Sequence, residues 1–145
     1  MKKRITILGS TGSIGTTALM VIDYKKKLFE VDTLIANSNY KKITQQILKF
    51  KPSNFVISNY QTYSKIKKKF KNNKTKIFNN YKDIKKIKKN DIVVAAIPGI
   101  AGLDATIYYT AKTKKILLAN KESIICGWNI IKKVSKANRT IIIPL

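Results

Sequence analysis

An apolar run, Ile5-Thr6-Ile7-Leu8, leads without a break into Gly9, Gly12 and Gly15, and helical periodicity begins within that same turn. A strand delivered straight into spaced glycines that open a helix constrains the fold more than any other part of the chain. The first glycine permits a tight reversal, the second lets main chain approach a ligand, and the third lets the new helix press on the strand. The helix N-terminus then presents unpaired N–H groups and a partial positive charge, which suits an anion such as a diphosphate. The hydroxyls of Ser10, Thr11, Ser13 and Thr16 add donors of suitable length. The spacing is G-x-x-G-x-x-G, a variant of the dinucleotide fingerprint, and no G-K-[ST] follows, so a dinucleotide fits better than a nucleoside triphosphate. A bare strand-helix turn without ligand is the competing explanation.

The remainder of the chain repeats the same alternation. Strands are expected at Arg4–Leu8, Phe29–Ala36, Asn54–Ser58, Asp91–Ile97, Lys115–Ala119 and Thr140–Ile143, with a short extended piece at Lys76–Phe78. Helices are expected after the glycines, with Ile14, Ala18, Leu19, Val21 and Ile22 on the apolar face, and over Lys41–Phe50, with Ile43, Ile47, Leu48 and Phe50 inward. Further helices fall near Gln61–Phe70, Leu103–Ala111 and Glu122–Lys136, and an amphipathic turn at Asp83–Ile87. This order predicts one α/β domain over residues 1–145, a Rossmann-like doubly wound parallel sheet in three αβα layers with right-handed crossovers. Ligands of such sheets lie beyond the carboxyl ends of the strands, which directs attention to Gly9–Gly15, Asn37–Lys42, Pro98–Gly102 and Asn120–Ser123.

The formal net charge of +23 raises a nucleic-acid or membrane partner. Of the 30 basic residues all but Arg4 and Arg139 are lysine, and Ile and Asn are also abundant, a combination that AT-rich codons produce. The lysine runs lack aromatic interleaving or any nucleic-acid module, so no specific nucleic acid and no membrane partner is expected, only salt-sensitive contact with polyanions. The single Cys126 excludes an internal disulfide and reads as a small core residue in a reducing, cytoplasmic setting. No apolar run is long enough to span a bilayer, and the first strand begins too early to leave room for a leader. With no histidine, acid-base chemistry would fall to lysines, carboxylates or a cofactor.

The tip of the second strand discriminates between nicotinamide coenzymes. An acid there accepts the ribose 2′-hydroxyl of NAD, yet this chain reads Asn37-Ser38-Asn39-Tyr40-Lys41-Lys42, with two cations and no acid, which favours NADP. Asp32 sits too early in the strand to reach a ribose, and Lys41 and Lys42 could equally be a solvated helix start. At the end of a later strand, Asn120-Lys121-Glu122-Ser123 lines up an amide, a cation and a carboxylate, although Asn120 or Ser123 could serve as a helix cap.

These segments carry a resemblance. The opening Ile7–Gly15, the stretch from Ala95 to Leu103, and Leu117-Leu118-Ala119-Asn120-Lys121-Glu122-Ser123 together resemble the N-terminal domain of the 1-deoxy-D-xylulose 5-phosphate reductoisomerase family, and the likeness runs the whole chain in order. The resemblance implies rearrangement and NADPH-dependent reduction of 1-deoxy-D-xylulose 5-phosphate to 2-C-methyl-D-erythritol 4-phosphate for isoprenoid precursors, with a divalent metal, Mg or Mn, and a homodimer at full length. By match, Thr11, Gly12, Ser13 and Ile14 hold the coenzyme phosphates, Asn39 lies at the adenosine ribose phosphate, Asn120 and Glu122 contact the coenzyme, and Lys121 contacts the sugar-phosphate substrate. The family places an Asp-Ser-Glu metal segment immediately after the strand matching Ile141-Ile142-Ile143-Pro144, and this sequence ends at Leu145. The expectation is therefore a fragment, an excised domain or a decayed gene product, without metal ligands or catalytic residues of its own, which binds NADPH without turnover. Asn37 and Ser38 replace a glycine and a cation of the family pattern, leaving Lys41 or Lys42 to compensate, and Pro98 stiffens a loop where a small or branched apolar residue is usual. The alternatives are the coenzyme domain of another NADP-dependent oxidoreductase, such as a semialdehyde or homoserine dehydrogenase, and a noncatalytic basic module for nucleotides or polyanions.

Overall fold

A computed structural model describes residues 1–145. Seven strands, β1 (Lys3–Leu8), β2 (Phe29–Ala36), β3 (Asn54–Ile57), β4 (Lys76–Phe78), β5 (Asn90–Ala95), β6 (Thr113–Leu118) and β7 (Ile141–Pro144), form one sheet. Their order is β4-β3-β2-β1-β5-β6-β7 and every pair is parallel. Five helices make the crossovers: α1 (Ser13–Tyr24), α2 (Tyr40–Phe50), α3 (Tyr60–Lys69), α4 (Ala101–Thr110) and α5 (Lys121–Asn138). The chain winds outward from β1 in one direction through β4, then returns to β5 on the other side of β1 and winds outward again. The topological switch point therefore lies between β1 and β5.

Parallel strands buried on both faces favour continuous aliphatic runs, and this sheet has them. On one face, Ile5, Ile7, Leu34, Phe55 and Ile57 pack against Leu19 and Ile22 of α1, Ile43 and Ile47 of α2, and Ile66 of α3. On the other, Leu8, Ile35, Val56, Val93, Ile116 and Leu118 pack against Ala105 and Tyr109 of α4 and Ile131 of α5. Neighbouring residues in one strand thus serve opposite layers, and the three-layer αβα expectation holds.

The extended piece at Lys76–Phe78 becomes an edge strand because β3 offers it a register from Asn54 to Val56. Only one 3-10 turn, Tyr81–Asp83, forms before β5, with Ile84 buried after it.

Four inward assignments are corrected. Ile14 and Val21 are exposed, because α1 meets the sheet through Gly15, Leu19 and Ile22. Leu48 is exposed, and the polar Gln46 takes the inward place beside Ile43 and Ile47. Cys126 is exposed and not a core residue: the buried line of α5 runs Ser123, Gly127, Ile131, and Cys126 lies off it.

Candidate functional site

The turn after β1 is held by β2. Gly9 N and Ser10 N both donate to Ile35 O at 2.9 Å, so the chain leaves the sheet as a pinned corner. Gly9 has φ +87°, and a Cβ there would stand 2.6 Å from the carbonyl oxygen of Ala96. Backbone conformation and the neighbouring β5 exit both demand glycine. Gly15 packs closer still, with its Cβ direction 2.1 Å from Gly9 O. Gly12 is different: its φ of −77° suits any residue, and a Cβ there would meet only Gly9 O, at 3.6 Å. No contact inside the protein demands a glycine at that position beyond its N-cap role, and a ligand resting on the main chain would.

α1 begins at this corner without a side-chain cap. Gly12 N donates to Gly9 O and Thr16 N to Gly12 O, while the N–H groups of Thr11, Ser13 and Ile14 have no acceptor within the chain. Thr16 and Thr17 direct their hydroxyls back to carbonyls of the first turn, leaving those N–H groups open. Three main-chain donors at the positive end of a helix face outward together.

Beside this turn lies a cleft of about 250 Å³ lined by Gly9, Thr11, Gly12, Ile35, Ala36, Asn37, Ser58, Ala96, Ile97 and Pro98. The walls are the carboxyl ends of β1, β2, β3 and β5, so the cleft sits on the switch point. A second, polar hollow of about 310 Å³, between Lys2, Asp23, Glu30 and Lys49, lies at the opposite ends of the strands. It lacks the glycine corner, and we place no chemistry there.

No carboxylate stands in the cleft. Asp32 is buried and pairs with Arg4, whose guanidinium also reaches Glu30, so both acids of β2 are engaged at its far end. At the near end Asn39 caps α2, accepting from Lys42 N at 3.1 Å, and lies exposed. Gln46 fastens α2 to the corner, since it accepts from Ser10 Oγ at 2.8 Å and donates to Ser10 O at 2.9 Å. Both partners are buried, which makes this pair a rigid link between helix and turn.

The other wall is braced by Asn120. Its side chain is 2% exposed, accepts from Ser123 N to cap α5, and donates to Ile97 O at 2.6 Å and Gly99 O at 3.2 Å. Both amide hydrogens are thereby engaged, so Asn120 acts on the cleft by fixing the loop that forms its wall. Gly102 leaves room for it, because a Cβ there would stand 2.4 Å from Asn120 Nδ2.

Glu122 and Lys121 open α5 next to that brace, the first half-buried and the second exposed, and neither makes an ion pair. Thr11 and Gly12 line the cleft, Ser13 and Ile14 follow at its rim, and Asn39, Lys121 and Glu122 stand outside its lining. No three His, Cys, Asp or Glu residues converge to hold a metal ion. No helix is long and apolar enough to cross a membrane.

Ser58 of the cleft lining and the Gln46 link are not among the residues singled out from the sequence. A polar residue amid Ile43 and Ile47 on the inward face of a helix was the signal for Gln46, because a buried amide needs a partner.

Residues 5–127 match the family model described as 1-deoxy-D-xylulose 5-phosphate reductoisomerase. The chain belongs to that family. A reductoisomerase of Pelagibacter ubique is 42% identical over 147 residues, covering 99% of this chain and 38% of the relative. One of Proteus mirabilis is 42% identical over 128 residues, covering 85% of this chain and 32% of the relative. The chain thus spans well under half the length of the curated reductoisomerases it matches. Among solved structures, the reductoisomerase from Zymomonas mobilis in complex with NADPH superposes with a TM-score of 0.90 at 28% identity, over 99% of this chain and 38% of that one. A reductoisomerase complex with NADPH, fosmidomycin and magnesium gives 0.87 at 30% identity, over 98% and 36%.

Proposed function

We propose that residues 1–145 form the NADPH-binding domain of a 1-deoxy-D-xylulose 5-phosphate reductoisomerase. The single observation that carries this is the corner itself: open N–H groups of Thr11, Ser13 and Ile14 beside Gly12, whose main chain is uncovered because a Cβ there would meet only Gly9 O, at 3.6 Å. Bound there, NADPH would supply the hydride for reduction. The chain's own part is to seat the diphosphate on the turn, to hold the adenosine end near Asn39, and to keep the Ile97–Gly99 wall in place through Asn120. The absence of an acid at the tip of β2 suits a 2′-phosphate in preference to a free hydroxyl.

The reading extends to the remaining expectations. Lys121 contacts the substrate, 1-deoxy-D-xylulose 5-phosphate, and Glu122 the coenzyme, at the start of α5. The divalent metal that accompanies family members is assigned, on this reading, to the further length that the relatives have. The whole enzyme acts in the cytoplasm as a homodimer. Calorimetric titration of the chain with NADPH and NADH is the test. Micromolar-range binding of NADPH, weaker binding of NADH, and loss of both on Gly12→Asp are expected. A chain that binds neither coenzyme refutes the proposal.

A further inference from the structure

Resting on the NADPH reading above, we infer that Lys42 is the residue by which this chain selects the 2′-phosphorylated coenzyme. The two residues that follow β2, Asn37 and Ser38, are neutral. Discrimination for a phosphate must then come from a cation delivered by another element. Two are close in sequence, Lys41 and Lys42, and they differ in what they touch.

Lys42 Nζ donates to Thr11 O at 3.1 Å, across 31 residues of sequence. That places an ammonium on the glycine turn, at the lip of the cleft that Thr11 and Gly12 line. The exposed side chain of Lys41 makes no hydrogen bond and no ion pair.

The position of Lys42 is built. Asn39 caps α2 through Lys42 N and so fixes the first helical turn. Gln46 lies four residues on, on the same face, and is locked to Ser10 by two hydrogen bonds. The backbone that carries Lys42 is thus capped at its start by Asn39 and tied through Gln46 to the turn its side chain reaches.

Its charge is also free. Lys42 meets no carboxylate, whereas Lys49 of the same helix pairs with Asp23 at 2.8 Å. An ammonium has three donors, and Thr11 O takes one, leaving two for phosphate oxygens. Asn39 uses its Oδ1 in the cap, which leaves its Nδ2 as a further donor beside the same point. A ribose seated between the β2 tip and the turn would carry its 2′-substituent toward this pair. The hydroxyl of NADH would find no carboxylate there to accept it.

The experiment compares Lys42→Met, Lys42→Arg and Lys41→Met chains in titrations with NADPH and NADH. Lys42→Met keeps the stem and removes the charge, and Thr11 O is left to water. Lys42→Met is expected to weaken NADPH at least about tenfold with NADH affinity unchanged. Lys42→Arg retains the preference, and Lys41→Met behaves as the parent chain. Equal losses for both coenzymes in Lys42→Met, no loss for either, or a selective loss in Lys41→Met each overturn the assignment of Lys42 while leaving the dinucleotide site standing. A parent chain that binds neither coenzyme overturns the proposed function, and this inference falls with it.

Discussion

Gly12 and Gly15 lie three residues apart in one turn, and alanine at the two positions is expected to act in opposite ways. At Gly15 the new Cβ would stand 2.1 Å from Gly9 O, more than an ångström inside ordinary contact, and 2.7 Å from Ser10 Cα. Those atoms cannot retreat, because Gly9 N and Ser10 N are both bonded to Ile35 O. Helix α1 must move instead, which loosens Leu19 and Ile22 against the sheet. Overpacking of this kind costs about 2 kcal/mol, which lowers the melting temperature of a domain this size by about 4–8 °C.

At Gly12 the Cβ meets one atom at 3.6 Å and φ is −77°, so alanine fits the free protein. The entropy lost from the unfolded chain, about 0.4–1 kcal/mol, is offset by alanine's poor N-cap character, and stability stays within about 1 kcal/mol. The methyl group instead occupies the space a diphosphate needs, and NADPH affinity falls roughly five- to a hundredfold. Thermal unfolding followed by circular dichroism gives the first quantity and calorimetric titration the second. A Gly15→Ala chain as stable as its parent, or a Gly12→Ala chain that melts early yet binds NADPH normally, refutes the division of labour between the two glycines.

Gln46→Leu strips the buried Ser10 Oγ and O of their partner, and is expected to cost about 1–3 kcal/mol in urea unfolding while also weakening NADPH; parental stability would show the link to be dispensable. Asp91 accepts from Lys114 Nζ at 2.7 Å and from Arg4 N, which holds its carboxyl below the usual range. The folded state then binds fewer protons than the unfolded chain near about pH 4, so this stability is present above that pH and lost as pH falls through the folded value. Asp91→Asn is expected to flatten this part of the acid-unfolding curve, and an unchanged curve contradicts the assignment. Cys126, exposed on α5, is expected to react with a thiol reagent in the native protein at a rate near that of an unfolded peptide; a requirement for denaturant would put it back in the core.

The parallel sheet and the glycine corner were legible because strand runs such as Ile92–Ala95 are apolar without interruption and the glycines sit at a strand-to-helix boundary. The facing of individual helix positions was less so. Val21 reads as inward by hydrophobicity, yet the close approach at Gly15 sets which side of α1 meets the sheet, and that side holds Leu19 and Ile22. Leu48 and Gln46 exchange their expected places for a related reason: Ser10 offers two buried polar atoms that only a side-chain amide satisfies. The β4 segment was legible only as a short extended piece, because it is pairing with β3 that makes it a strand of the sheet. At the site, the glycines and Asn120 were readable from the sequence, but the bonds from Asn120 to Ile97 O and Gly99 O join segments more than twenty residues apart and belong to tertiary structure alone.

The open donors at the corner belong to peptide groups and not to side chains. Replacing Thr11, Ser13 or Ile14 by another residue with the same backbone preference leaves each N–H where it is. Mutational tolerance at this corner is consequently uneven: the side chains of Thr11, Ser13 and Ile14 are the most replaceable, while the glycines and the distant Gln46 and Asn120, which keep the corner and its wall in place, are the least.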